Sequence, residues 1–283
     1  MSNDGLTPGH EFLRKAAQTW FAENYGNPIM HIDTQLSSKL EWVPALRFML
    51  HRYINVFVEP SDDGPYPRIL HMKHAEVSNY PEPIAIYCVC QEAATATVRG
   101  QQELRRLKAH GFGLITVNSD GEAHVLFPAI PLVQVIPQES FKQQLQGLPR
   151  AICQPASEAF QDYRANPLNG VKTLSELVES MIMKAGQDSA KLGGITRTQS
   201  KAALADVLDA LYGEYPPARA AIGGARNFIR EYRNLAHHSP RNKKDAYKKC
   251  TDCKHHFLEG LRTIQTFRNA MKNVDLTGNL TRV

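Results

Sequence analysis

Apolar positions follow two rhythms along the chain. Over the first 147 residues they alternate between helical and strand spacing. Phe12, Leu13, Ala16, Trp20 and Phe21 recur at the interval of one helix face. Short apolar runs at Pro28–Ile32, Tyr53–Val58, Arg68–Met72 and Ile84–Cys90 predict strands. The last run, I-A-I-Y-C-V-C, is apolar on both faces, as a central strand covered on both sides requires. A helix is expected over Gln101–His110, ended by Gly111 and Gly113. A hairpin follows: Leu114–Val117, the turn Asn118-Ser119-Asp120-Gly121, and a return strand at His124–Phe127.

The second rhythm is helical throughout. Val171, Leu174, Leu177, Val178 and Met181 form one stripe, and Leu204, Val207, Leu208, Leu211 and Tyr212 form another. Pro216 and Pro217 open a third helix, carried by Ile222, Ala225, Phe228, Ile229, Tyr232 and Leu235 and stopped by Pro240. A fourth, from about Lys243 to Lys272, is expected to bury Tyr247, Phe257, Leu261, Ile264 and Phe267. Four such helices with short connections predict an up-down bundle. The expected organisation is therefore an α/β domain over 1–147, a linker over 148–168 and an all-α four-helix domain over 169–283.

Composition narrows the class. Apolar content of 42% and charged content of 22% belong to an ordinary globular chain. Five cysteines without a framework-like spacing fit a reducing compartment. Met1–His10 is polar, and apolar residues nowhere run on for about 18 positions, so neither a secretory leader nor a membrane span is expected. The expected placement is cytoplasmic. The net charge of +5 conceals an asymmetry, because Arg219–Val283 holds 14 Lys/Arg against 5 Asp/Glu, leaving residues 1–218 net acidic. A basic domain joined to an acidic one points to a polyanion as the partner of the former, although basic helices are also often plain solvated faces.

The chemistry concentrates at the end of the third predicted helix, in Arg233-Asn234-Leu235-Ala236-His237-His238. Cleaving RNA without a metal needs a permanent cation for a phosphate and an imidazole to move a proton. Residues four apart share a helix face, so Arg233 lies over His237 and Asn234 over His238, with Arg226 and Arg230 extending the basic ridge upstream. Arg233 and His238 are about 140° apart on a regular helix, and converge only if the end frays or a second chain completes the site. The negative end of the helix dipole favours a protonated imidazole there. The same residue types also serve simply to satisfy terminal carbonyls.

These residues resemble the R-x-x-x-x-H motif of HEPN domains, small helical bundles found in ribonucleases of toxin–antitoxin, abortive-infection and CRISPR systems. The resemblance spans roughly Val171–Asn273 and includes the motif's place at the end of the third of four helices. It implies a metal-independent endoribonuclease needing no cofactor, with RNA as substrate and a homodimer whose paired bundles face both motifs into one cleft. It further implies that His238 acts as general base or acid toward the ribose 2′-hydroxyl, Arg233 holds the scissile phosphate and Asn234 orients a neighbour. His237, the histidine stacked over Arg233, competes for that role; the family's spacing puts His238 first and His237 second. A role in phage defence or as a regulated toxin follows from the resemblance. An antitoxin or phage-derived trigger would then act at the N-terminal domain, and no membrane partner is implied.

Other groups compete for attention. Cys250-x-x-Cys253 with His255 and His256 has the residue types of a zinc site, but no turn separates the pair, and ordinary helix residues are expected. Lys243, Lys244, Lys248, Lys249 and Lys254 read as a track for an RNA backbone, Lys243 and Lys244 foremost. The first half resembles the restriction-endonuclease-like fold of PD-(D/E)xK nucleases in its order of helix, strands, central strand, helix and strand. Cys88-Val89-Cys90 stands where that family's E-x-K triplet is expected, while Glu59, Asp62, Asp63 and Lys73 offer no complete set. The resemblance thus implies a lost nuclease site. Two alternatives to a ribonuclease remain: a non-catalytic nucleic-acid-binding or regulatory dimerisation module, and an N-terminal metal-dependent DNase.

Overall fold

The computed structural model describes residues 8–78, 80–237 and 239–277. The chain divides into two compact units: Met1–Pro137 with Pro240–Thr251, and Gln138–Ser239 with Asp252–Val283. The first is α/β with a six-stranded mixed sheet and the second is helical.

In the first unit, α1 (Pro8–Asn24) precedes β1 (His31–Ile32), β2 (Leu46–Leu50) and β3 (Ile54–Pro60). Then come α2 (Ile69–Ser78), β4 (Ile84–Gln91), a short α3 (Glu92–Thr95), α4 (Val98–His110), β5 (Gly113–Val117) and β6 (Ala123–Phe127). The strands lie in chain order; β3, β4 and β5 are parallel, while β2 and β6 run antiparallel to their neighbours. Leu13, Ala17 and Phe21 of α1 cover one face of the sheet, against Phe48, Val56, Val58, Tyr87 and Val89. Leu70 and Val77 of α2, Leu107 of α4 and Trp42 cover the other, against Phe57, Ile86 and Cys88. Covering both faces explains why β4 reads as an unbroken apolar run.

Local chemistry sets the boundaries. Thr97 caps α4 by accepting from the Gly100 N–H, and Gly111 closes it at φ 73°, a left-handed conformation that favours glycine. Asn118 Oδ1 accepts from the N–H groups of Asp120 and Glu122, building the β5–β6 turn. The segment 240–251 groups with the sheet. There the Tyr53 hydroxyl donates to the Arg241 carbonyl at 2.6 Å, and Glu82 pairs with Lys243 at 3.1 Å.

The helical unit contains α5 (Gln138–Gln144), α6 (Arg150–Ala165), α7 (Pro167–Lys191), α8 (Leu204–Glu214), α9 (Arg219–His237) and most of α10 (Lys243–Lys272). Asn166 caps α7 through the N–H groups of Leu168 and Asn169, with Pro167 at its first position. Phe141 stacks on Phe160 at 4.0 Å, and Tyr163 lies 4.5 Å from Phe257. His256 stacks on Phe228 at 4.5 Å. Phe257, Leu261, Ile264 and Phe267 are fully buried.

Several expectations need correction. The span 148–168 is not a linker: α6 buries Ile152, Ala156, Ala159, Phe160 and Tyr163, a helical period that Pro149, Pro155 and Pro167 disguise. With α5 and α6, the described helical unit has two helices beyond the four expected, and it begins at Gln138 rather than at residue 169. Arg68–Met72 is the start of α2, not a strand, and Met72 is 72% exposed. Of Pro28–Ile32, only His31 and Ile32 pair. Tyr212, expected in the core, is 44% exposed, its ring covered instead by the Arg219 guanidinium. Tyr232, Leu235 and Tyr247 are half-buried.

Candidate functional site

Helix α9 owes its orientation to two features of its sequence. Pro216 and Pro217 form a 3₁₀ turn that launches it, and Arg219 ties it to α8 by donating to the carbonyls of Tyr212 and Gly213 at 2.9 and 3.4 Å. Ala221, Ile222, Ala225, Phe228 and Ile229 turn inward at helical spacing. His256 of α10 locks that face, its Nε2 lying 3.1 Å from the Phe228 carbonyl. Burial pushes this imidazole below its usual pKa, so it stays neutral as a packing group.

The exposed flank beside that face carries the charge. At about 100° per residue, Arg226, Arg230, Arg233 and His237 fall within a stripe about 60° wide and about 16 Å long. All four are exposed, as is Asn234 at the margin of the stripe. Arg226 is spent on Asp209 of α8 in an ion pair. Arg230, Arg233, Asn234 and His237 have no side-chain hydrogen bond or ion pair among the described residues. His238 lies outside the described residues.

The lysines divide in the same way. Lys243 pairs with Glu82 at 3.1 Å, and Glu82 also accepts from Asn55 Nδ2 at 2.9 Å, so this cation is already compensated. Lys244 is exposed and without such a partner among the described residues. Lys248 is exposed, whereas Lys254 is half-buried and its ammonium is pushed down by desolvation.

Among the described residues, neither competing site assembles as a ligand set. Cys250 and Cys253 are buried in α10, and burial lifts the Cys250 thiol to about 11. Glu59 is buried beneath Trp42, whose indole donates to it at 2.7 Å. Desolvation lifts its carboxyl to about 8 against the pull of that hydrogen bond. Asp63 is paired with Arg68, Asp62 faces His10 at 3.6 Å, and Lys73 is held by Glu76 and Glu41. Among the described residues no group of three or more His, Cys, Asp or Glu is placed to hold a metal ion.

Sequence reading passed over one cluster in the sheet unit. Tyr66, His71, Arg106 and His110 come from three segments that fold together, with Arg106 stacked over Tyr66 at 4.6 Å. No local spacing announces it, since the residues span 45 positions and only Arg106 and His110 share a helix.

No family model matches the chain, and no curated protein or solved structure matches it. Among the described residues no helix is long and apolar enough to cross a membrane.

Proposed function

We propose that the chain is a metal-independent endoribonuclease of HEPN type whose site is the end of α9. The observation that carries this reading is the pair of uncompensated cations Arg230 and Arg233 beside Asn234 and His237 on one solvent-facing stripe. A cation that serves only to stabilise a fold is normally matched by an acid or a terminal carbonyl, as Arg226 and Arg219 are here. Arg233 holds the scissile phosphate and stabilises the charge that develops on it. His238 takes the proton from the ribose 2′-hydroxyl, which attacks the adjacent phosphorus and expels the 5′-oxygen; that oxygen takes up a proton from solvent, and the products are a 2′,3′-cyclic phosphate and a 5′-hydroxyl end. DNA lacks that hydroxyl and is not a substrate. A second copy of the chain supplies the facing half of the site. The mixed sheet in chain order supports a restriction-endonuclease-like scaffold, in which an antitoxin or phage-derived trigger finds its surface and the buried, hydrogen-bonded Glu59 takes no part in cleavage.

Substitution tests the assignment. Arg233→Ala and His238→Ala are each expected to slow cleavage of end-labelled RNA by about a hundred- to ten-thousand-fold while the helical circular-dichroism signal is retained. His237→Ala separates the two histidines: the proposal expects a small loss, and a loss equal to that of His238→Ala would move the proton-transfer role. Undiminished cleavage in both Arg233→Ala and His238→Ala would remove α9 from the mechanism. RNA binding without any product would favour a non-catalytic binding module on the same stripe.

A further inference from the structure

The cluster around Tyr66 lies wholly in the sheet unit and stands independently of the ribonuclease reading. It is built on the loop that leaves β3. Gly64 turns that loop at φ 143°, and Glu103 of α4, only 8% exposed, fastens it by accepting from the Tyr66 N–H at 3.2 Å. The other carboxylate oxygen of Glu103 accepts from Arg99 at 2.7 Å, so its charge is used within the fold. Tyr66 is thereby pinned against α4, 6% exposed, with its ring 6.0 Å from the buried Phe112.

Three nitrogen-bearing groups surround this fixed ring. The Arg106 guanidinium lies 4.6 Å above its centre, a cation–π arrangement. The His71 ring is 4.8 Å away and the His110 ring 6.2 Å away, the latter stacked on Phe112. Arg106 Nη2 approaches His71 Nδ1 at 3.4 Å. A guanidinium can only donate, so Nδ1 accepts and the imidazole proton sits on Nε2, making His71 a donor to whatever meets its other edge. The Tyr66 hydroxyl has no hydrogen-bond partner among the described residues.

The cluster is rich in donors and poor in acids. Arg106 has no carboxylate partner among the described residues, and the acids nearby in sequence are committed elsewhere: Glu103 to Arg99, Asp63 to Arg68 and Glu76 to Lys73. A guanidinium, an Nε2–H and a phenol on a rigid base call for a ligand with several acceptor oxygens and negative charge. A tetrahedral phosphoryl group, with its three terminal oxygens and a charge of about −1.5 to −2, has that chemistry. We propose that Tyr66, His71, Arg106 and His110 form a binding site for a phosphoryl group, either as free phosphate or as the end of a small phosphate ester.

Titration calorimetry of the full chain with inorganic phosphate, adenosine monophosphate and adenosine tests this. Saturable binding of a phosphorylated probe is expected, with none of adenosine. Tighter binding of the nucleotide assigns the site to an ester, and tighter binding of phosphate assigns it to the free anion. Arg106→Ala should weaken binding by about ten- to a hundred-fold, the weight of a charge-assisted hydrogen bond. Tyr66→Phe, which keeps the ring, should weaken it by a few-fold, and Arg105→Ala, the exposed neighbour, should leave it unchanged. The proposal is overturned by an absence of saturable binding of either phosphorylated probe, by adenosine binding as tightly as its phosphate, or by an Arg106→Ala protein that folds and binds like the parent.

Discussion

Charged and polar groups packed into the sheet unit and those on the exposed side of α9 are handled in opposite ways. In the sheet unit, polar groups are matched within the fold: Glu59 accepts from Trp42, Glu103 joins Arg99 to a loop, and Lys73 is shared by two acids. On the exposed face of α9, Arg230 and Arg233 are left without internal partners. Desolvating a charge is costly unless it is paired, so the first arrangement serves folding and rigidity. Unpaired surface cations contribute little to stability, and their free donors are available to a ligand. The contrast separates residues that hold the molecule together from residues that serve something outside it.

The comparison breaks first at the core. Phe257→Ala removes a fully buried ring packed on Tyr163 and should cost about 3–5 kcal/mol in urea unfolding. Arg230→Ala and Arg233→Ala should shift the same transition by no more than about 0.5 kcal/mol. A large loss at either arginine would make it structural. Next comes Glu59. Its folded pKa, about 8, is raised above the ordinary value of 4.5, so the protein binds this proton more tightly than the unfolded chain does. The stability contributed by protonated Glu59 is complete below about pH 4.5 and is lost as pH rises through about 8. The unfolding midpoint should therefore fall across that window, and Glu59→Gln, which retains an acceptor for Trp42, should flatten the slope. The smallest effect separates the lysines. Lys244→Ala should reduce the salt dependence of RNA binding by a slope of about 0.7, one phosphate contact to a single strand, whereas Lys243→Ala should change it little. Glu82→Ala, which releases Lys243, should raise RNA affinity.

Much of this arrangement was legible in the chain because periodicity reports which face is covered. The stripe of α1, except for Phe12, which is 42% exposed, the stripe at Phe257–Phe267, the both-sided burial of β4 and the hairpin at Asn118–Gly121 follow from it. Strand β2 escaped notice because its hairpin turns at His51 and Arg52, both at positive φ (49° and 68°), with none of the Asn-Gly chemistry that usually marks such a turn. Helix α6 hid behind three prolines, and the start of α2 looked like a strand because an apolar run of that length fits either element. At the candidate site, Arg233, Asn234 and His237 could be placed on α9 from spacing alone. That Arg226 and Lys243 are compensated could not be foreseen, because Asp209 and Glu82 lie 17 and 161 positions away. The Tyr66 cluster was illegible for the same reason.

The most direct test of the central claim is to incubate the purified chain with end-labelled RNA, and with DNA of the same sequence, in excess chelator. The account predicts cleavage of the RNA alone, with 2′,3′-cyclic or 3′-phosphate ends. Cutting of the DNA, or RNA cleavage that disappears with the metal, would contradict it.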